Sequence, residues 1–474
     1  MSKTATADDS GSRATFHVVL IVAVAALGGF LFGFDTAVIN GAVDSISASF
    51  GLGAAQTGFA VSCSLLGSAL GAWYAGKLAD RFGRRHTMQV AAVLLAGSAI
   101  GAGLSVAVWQ LVLWRVIGGI GVGVASVVAP TYIAEVAPAR IRGRLGSMQQ
   151  LAIVLGIFVA LLSDAWLAGS AGGAAHVLWL KLAAWRWMFL VAVLPAIVYG
   201  LLVLIVPESP RYLVAKSRLP EARTVLQKVL GLGSAGALDR KLADIEQSLR
   251  AEHSPRLSDL RGSAAGLLPV VWVGILLSVF QQFVGINVIF YYSSTLWHSV
   301  GFSETDSFSI SVATSIVNVL VTLVAIALVD KVGRKPLLLV GSAGMAVALG
   351  LMAVCFSQAT GSGAATSLPA PWGVVALVAA NAYVVFFGVS WGPVVWVLLG
   401  EMFPNRIRAM ALAVAASAQW LANFAITSSF PALAQLGLVF AYGLYALFAL
   451  LSLGFVFYAV RETKGIELED MQGA

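Results

Sequence analysis

Charge is what this chain has least of. Of its 474 residues, 11% are charged and 59% are hydrophobic, and the mean hydropathy is +0.90. Soluble domains carry about 25% charged residues, so a soluble protein is excluded and lipid must solvate most of the chain. Cysteine is nearly absent. Cys63 and Cys355 both sit inside apolar segments, which excludes a disulfide framework and leaves two small buried hydrophobes. The first residues are polar, with Asp8 and Asp9, and lack the basic stretch of a signal peptide. No small-residue cleavage site follows the first apolar run, which therefore reads as a retained spanning helix.

Signatures of catalysis and cofactor binding are missing as well. The run Gly118-Gly-Ile-Gly-Val-Gly lies in an apolar segment without a preceding strand or a following Lys-Ser/Thr, so it reads as close helix packing and not as a phosphate loop. Gly67-Ser-Ala-Leu-Gly lacks the context of a nucleophile elbow, and the five scattered histidines form no metal-ligand cluster. Neither an enzyme, a cofactor nor a metal site is expected. The net charge of +7 and pI near 9.5 would suit nucleic acid, but the basic residues fall between apolar segments, as membrane orientation requires.

What is present is a series of apolar runs. A spanning helix needs roughly 20 mainly apolar residues, and about twelve segments qualify: 16–40, 56–78, 87–108, 109–133, 146–166, 185–206, 266–297, 308–329, 336–356, 372–399, 407–428 and 437–460. The fold expected is an all-helical membrane protein of two six-helix bundles. Its parts are a tail 1–15, an N-terminal bundle 16–206, a linker 207–265, a C-terminal bundle 266–460 and a tail 461–474. Two linker stretches, from Pro220 and from Leu238 to Leu249, have amphipathic helical spacing and are too polar to span. Lys and Arg concentrate in one set of loops (Lys77, Arg81, Arg84 and Arg85; Arg140, Arg142 and Arg144; Lys331, Arg334 and Lys335; Arg406 and Arg408), while the other set holds only Lys181 and Arg186. The positive-inside rule then puts both termini and the linker in the cytoplasm.

The halves echo each other. Asp80-Arg-Phe-Gly-Arg-Arg follows the second segment and Asp330-Lys-Val-Gly-Arg-Lys the eighth. Glu135 with Arg144 closes the fourth, and Glu401 with Arg408 the tenth. Pro207-Glu-Ser-Pro-Arg follows the sixth and Arg461-Glu-Thr-Lys-Gly the twelfth. Parallel six-helix repeats with a substrate site between them are a known transporter plan.

At these motifs the chain resembles the major facilitator superfamily: Gly76-Lys-Leu-Ala-Asp-Arg-Phe-Gly-Arg-Arg is similar to its loop signature. Pro207-Glu-Ser-Pro-Arg-Tyr-Leu, Gln281-Gln-Phe-Val-Gly-Ile-Asn and Arg461-Glu-Thr-Lys-Gly narrow the resemblance to its sugar-porter family, nearest the bacterial glucose:proton symporters. The resemblance implies a monomeric transporter of the bacterial inner membrane, carrying a hexose, with D-glucose first, together with a proton. A proton-independent sugar uniporter and a transporter-like sugar sensor are the alternatives; the latter would usually need a long signalling tail.

Three groups of residues would carry that work. Asp35 and Arg115 read as the only charged side chains deep within the spans, and an intramembrane charge marks function or a partner. The first helix runs outward and the fourth inward, which puts both in the outer half and allows them to pair. A buried carboxylate beside a mobile arginine changes its proton affinity as the pairing changes, and the resemblance implies that an acid at Asp35 couples proton to sugar. A fixed structural salt bridge is the other reading. Amides both donate and accept, as sugar hydroxyls require; Gln281, Gln282 and Asn287 share one segment, and on a straight helix Gln282 and Asn287 would share one face. The resemblance implies sugar contacts for Gln150, Gln281, Gln282, Asn287, Asn318, Trp391 and Gln419, with Trp396, Trp420 and Asn423 completing the set. Phe30, Phe34, Tyr291 and Tyr292 either close the cavity or pack. Lastly, Asp80, Arg84, Glu135, Arg144, Asp330, Arg334, Glu401 and Arg408 are expected to form an ion-pair network that latches the inner side; solvated loop surface is the alternative. Ser390-Trp-Gly-Pro marks a place where the tenth helix would bend.

Overall fold

A computed structural model describes residues 5–137, 142–230, 235–251, 257–360, 367–404 and 407–463. Within them, the side chains of 5–17, 142–147, 229–230, 235, 248, 250–251, 257, 329–330 and 409 are outside the description. Arg144 and Asp330 therefore lie outside the described residues, as does the expected tail beyond Thr463.

Among the described residues, twelve helices are long and apolar enough to cross a membrane. They run Val18–Phe50, Ala54–Phe82, Arg84–Gly103, Val108–Val136, Met148–Ala171 and Ala184–Ile205 in one half. In the other they run Pro269–Ser299, Glu304–Leu328, Arg334–Ser357, Trp372–Met402, Met410–Leu436 and Leu438–Ala459. They are numbered here as the first to the twelfth span. Most exceed the expected segments because helices continue past the apolar stretch wherever no Pro or Gly stops them. The first helix begins at Ala5, so the polar stretch expected as a tail extends it. Outward faces carry Val93, Leu194, Leu201, Val347 and Val374, all more than half exposed, which is the surface a lipid solvent demands.

The repeat seen in the sequence is a repeat in packing. The second span lies along the fourth, the first along the fifth, and the third against the fourth and sixth. The same order recurs six spans later: eighth on tenth, seventh on eleventh, ninth on tenth and twelfth. The halves join along the second and eleventh spans and along the fifth and eighth. Between the halves' chains, the linker folds into helices Pro210–Ala215, Leu219–Leu230 and Ala235–Ala251. Leu213, Val214 and Ala222 form a small apolar cluster there with Val225, Leu242, Ile245 and Leu249. The linker abuts the basic-loop end, where Tyr212 donates its hydroxyl to the Arg81 carbonyl at 3.2 Å.

Several spans are broken. The first leaves α-helix at Ala37 and resumes at Val43 after a 3₁₀ turn, Asn40–Ala42. The seventh breaks at Val284–Gly285, with Gly285 at φ +86°, and the tenth at Ser390, ahead of Gly392 and Pro393. The straight seventh helix assumed from the sequence is therefore wrong, and the bend foreseen in the tenth is present.

The Gly118–Gly123 run lies within the fourth span. A Cβ at Gly119 would collide with the Ser64 carbonyl, and one at Gly123 with the Ser68 carbonyl. Backbone approach of this kind drives helix association in lipid. Gly119→Val should therefore destabilise the N-terminal bundle by roughly 1–3 kcal/mol, read as a lower melting temperature of the purified protein in detergent.

Candidate functional site: a buried charge pair facing an amide chain

The depths of Asp35 and Arg115 coincide, and the two side chains meet. Arg115 Nη1 stands 3.6 Å from Asp35 Oδ2, and the same nitrogen donates to the Asp35 backbone carbonyl at 3.2 Å. Nη2 reaches the Val61 carbonyl at 3.4 Å and Ser64 Oγ at 3.2 Å, and the guanidinium lies over the Phe189 ring. The pair is nearly sealed: the Arg115 side chain is 2% exposed and that of Asp35 14%. It is also incompletely bonded, because Asp35 Oδ2 and Arg115 Nε have no hydrogen-bond partner. A buried pair without full hydrogen bonding is a weak stabiliser.

Across the break in the seventh span runs a chain of amides. Asn287 Nδ2 donates to Gln282 Oε1 at 2.6 Å, Gln282 Nε2 to Gln281 Oε1 at 3.3 Å, and Gln281 Nε2 to the Trp391 carbonyl at 2.8 Å. The chain links two broken helices. Trp391 opens the second half of the tenth span, directly after the break at Ser390. Tyr383 of the tenth span reciprocates by donating to the Val284 carbonyl at 2.8 Å. Gln282 and Asn287 meet because the helix breaks between them.

The remaining amides come from other elements. Asn318, in the eighth span, is buried against Gly388 of the tenth. Asn423 is buried in the eleventh and accepts from Thr427 Oγ1 at 3.0 Å. One turn earlier, Gln419 Oε1 is buried without a partner. Gln150 is half-buried in the fifth span. Tyr291 lies near the Asn423 and Thr36 side chains, between the amides and the residue after Asp35. Phe32 and Trp420 pack ring to ring at 5.6 Å between the first and eleventh spans.

Trp391 is placed otherwise than expected. It is 0% exposed, and its indole N–H donates to Ser342 Oγ at 2.9 Å and the Leu338 carbonyl at 3.2 Å. In this state it braces the tenth span against the ninth, with no ring face open to a ligand.

The described members of the expected ionic network are placed as follows. They form two matching clusters, one within each half. Arg84 grips Glu135 through Nε and Nη2 at 3.0 and 2.9 Å and reaches Asp80 at 3.2 Å. Arg334 grips Glu401 likewise at 3.1 and 2.8 Å. The Glu401–Arg408 pairing is not made. Glu401 is occupied by Arg334 and by the Thr463 hydroxyl, so Arg408 donates from Nε to the Phe403 carbonyl and leaves Nη2 unpartnered.

Two residues of the quoted motifs acquire a role that the sequence reading did not assign. Glu208 accepts from the backbone N–H groups of Arg84 and Arg85, and Glu462 from those of Arg334 and Lys335. Each carboxylate caps the positive end of a helix that opens just after a positive-φ glycine, Gly83 or Gly333.

The sequence reading also missed Asp164. It lies inside the fifth span and is 0% exposed, so Asp35 and Arg115 are not alone. The intramembrane-charge rule that picked out Asp35 would have found it.

The comparisons with known proteins agree with this architecture. Residues 21–474 match the family described as "Sugar (and other) transporter". The chain belongs to that family. A glucose transport protein of Synechocystis is 57% identical over 96% of this chain and 97% of its own length. A D-xylose-proton symporter of Escherichia coli K12 is 37% identical over 96% and 95%. Among solved structures, a partially occluded inward open conformation of the E. coli xylose transporter XylE superposes with a TM-score of 0.81 at 36% identity, covering 95% of this chain and 99% of that one. Its inward open conformation gives 0.80, covering 96% and 99%.

The closed end of the molecule fits those conformations. Asn40 donates to the Phe290 carbonyl at 2.9 Å, Ser294 Oγ to the Asn40 carbonyl at 2.7 Å, and Thr295 to Asp44 at 2.9 Å. The Ala174 N–H donates to Glu304 at 2.9 Å. All four bonds cross between the halves at the end opposite the basic loops.

The two caps should be equivalent. Glu208→Ala and Glu462→Ala are each expected to cost about 0.5–2 kcal/mol, as loss of a helix N-cap does, with matching falls in melting temperature. Fluorescence-detected size-exclusion after a temperature series would measure them side by side.

Proposed function

We propose that this chain is a proton-coupled hexose importer of a bacterial cytoplasmic membrane, with D-glucose as its first substrate. It works as a monomer by alternating access, with both termini and the linker in the cytoplasm. The observation that carries the coupling is the sealed, incompletely bonded Asp35–Arg115 pair, next to Thr36 and near Tyr291 of the seventh span. The orientation rests on the basic loops, and the choice of glucose on the likeness to the Synechocystis protein.

Sugar is held chiefly by the C-terminal half. Gln282, Asn287, Asn318, Gln419 and Asn423 offer donors and acceptors to its hydroxyls, with Gln150 facing them from the N-terminal half. The unpartnered Gln419 Oε1 awaits a donor; unpaired buried polar atoms are rare enough to mark such a place. Gln281 and Trp391 shape this site through the carbonyl bond that joins the two broken helices. Asp35 takes its proton from outside. Arg115 stabilises the anion once the proton leaves, and the exchange of partners is linked to rocking of the halves. The two ionic clusters hold each half rigid. Arg408, with a free N–H, is available to bridge the inner side when it closes.

Radiolabelled glucose uptake into proteoliposomes, with and without an inward proton gradient, tests this directly. One proton per sugar predicts about tenfold accumulation per pH unit of gradient, collapsing with a protonophore. Asp35→Asn should reduce accumulation to equilibrium while sugar exchange continues. Equilibration indifferent to the gradient would make the protein a uniporter and the charge pair a structural one.

A further inference from the structure

Asp164 is the buried acid that the mechanism above does not use. It is wholly buried in the fifth span, and its one hydrogen bond is from the Gly41 N–H to Oδ2 at 3.3 Å. Oδ1 has no partner. Around it, each charged group on the packed elements is engaged elsewhere. Asp35 pairs with Arg115. Asp44 accepts from Thr295 and lies near His298. Arg186 donates to the Gly103 and Ser105 carbonyls. Glu304 accepts from the Ala174 N–H, and Asp306 from Ser303. Among the described residues no cation compensates Asp164. A bare carboxylate in that position is expensive in any low-dielectric interior, so sealing the site favours the neutral acid.

The site is tied to a moving part. Gly41 belongs to the 3₁₀ turn that interrupts the first span, and it is wedged between Asp164 and Met188 so closely that a Cβ would meet both within 3 Å. The neighbouring residue, Asn40, makes the bonds to Phe290 and Ser294 that join the halves at this end. Parting the halves there pulls on the turn that covers the carboxyl. Asp164 lies seven residues before the end of the fifth span at Ala171, roughly 10 Å at 1.5 Å per residue, so water would enter from the side opposite the basic loops.

We propose that Asp164 is a second proton-binding site, filled from the outer solution as the outer side closes and emptied to the same solution as it opens. A proton from outer water adds to Oδ1, the oxygen without a partner, while Oδ2 keeps the Gly41 N–H. Because the proton enters and leaves on one side, it is not transported. Its effect is to make outer closure, and hence the turnover of the carrier, depend on external pH separately from Asp35. The inference rests on the proposed orientation and on sugar exchange, but not on proton coupling at Asp35.

Two measurements test it. Exchange of labelled against unlabelled glucose in proteoliposomes is followed as the external pH is raised, comparing Asp35→Asn with Asp35→Asn/Asp164→Asn. With the first site removed, the single variant should slow by up to about tenfold per pH unit, the slope of one bound proton, and the double variant should stay flat. Equal slopes in the two would overturn the proposal. The second needs no transport: infrared spectra of purified wild type should contain the C=O band of a protonated carboxyl that Asp164→Asn, or Asp164→Ser if the amide variant is unstable, removes. A wild-type spectrum without that band would likewise overturn it. Absence of glucose exchange in folded protein, with the band present, would count against the proposed substrate and leave the acid in place.

Discussion

Everything in this molecule turns on one constraint: in hydrocarbon, a backbone group released from its helix has no water to turn to. The first, seventh and tenth spans are nevertheless broken, as is the sixth at Ala192, and around the first three breaks side chains from elsewhere bond to the backbone. The Val284 carbonyl takes the Tyr383 hydroxyl, and the Trp391 carbonyl takes the Gln281 amide. Where the first span turns, the Gly41 N–H finds Asp164 while Asn40 bonds across to the seventh span. Breaks in spanning helices are tolerated where they line a cavity or are buried in protein. Here each of those three breaks also supplies the joint through which one helix holds another. The polar residues of the candidate site thus do double service, satisfying backbone and presenting amides.

The same economy explains the ends of the bundles. A carboxylate at a helix N-terminus is favourable on its own, and an arginine gripping a glutamate with two N–H groups fixes direction as well as charge. Arg84 does both, donating its backbone N–H to Glu208 and holding Glu135 with its side chain; Arg334 repeats this with Glu462 and Glu401. Isolated surface pairs are worth little, but these arginines are 11% and 9% exposed. Each half is in this way a rigid body closed at its basic end, which is what rocking of one half against the other requires.

Much of this was legible in the sequence because the membrane imposes long-range rules on short-range patterns. Length and hydropathy fixed the number of spans, and duplicated motifs placed the two clusters at equivalent loops. The depths of Asp35 and Arg115 followed from the alternating direction of the helices. What the sequence did not disclose were choices among competing partners. Arg408 and Arg334 are both within motif reach of Glu401, and only folded geometry shows that Arg334 and Thr463 fill it. Trp391 reads as a sugar platform from its type and position, yet Ser342, an unremarkable serine in an apolar span, captures its indole N–H. Helix breaks defeat facial arguments too: a straight helix would put Asn287 and Gln282 near one face, whereas their hydrogen bond spans the break between them.

The coupling of sugar to proton comes down to how many independent links join the two halves near the centre. Tyr291 is one: it lies near Asn423 among the amides and near Thr36 beside Asp35. In the proposed site, a sugar hydroxyl engaging Asn423 would compete for the same amide and so shift Tyr291 against the first span. That displacement falls on the segment between Asp35 and Asn40, which carries the charge pair at one end and the cross-half bonds at the other. The first span is α-helical only to Ala37, so the stretch after Asp35 can rotate without dragging the rest of the helix. The charge pair and the cross-half bonds are therefore joined by six residues of chain containing a built-in break, with Tyr291 lying against them from the side of the proposed sugar site.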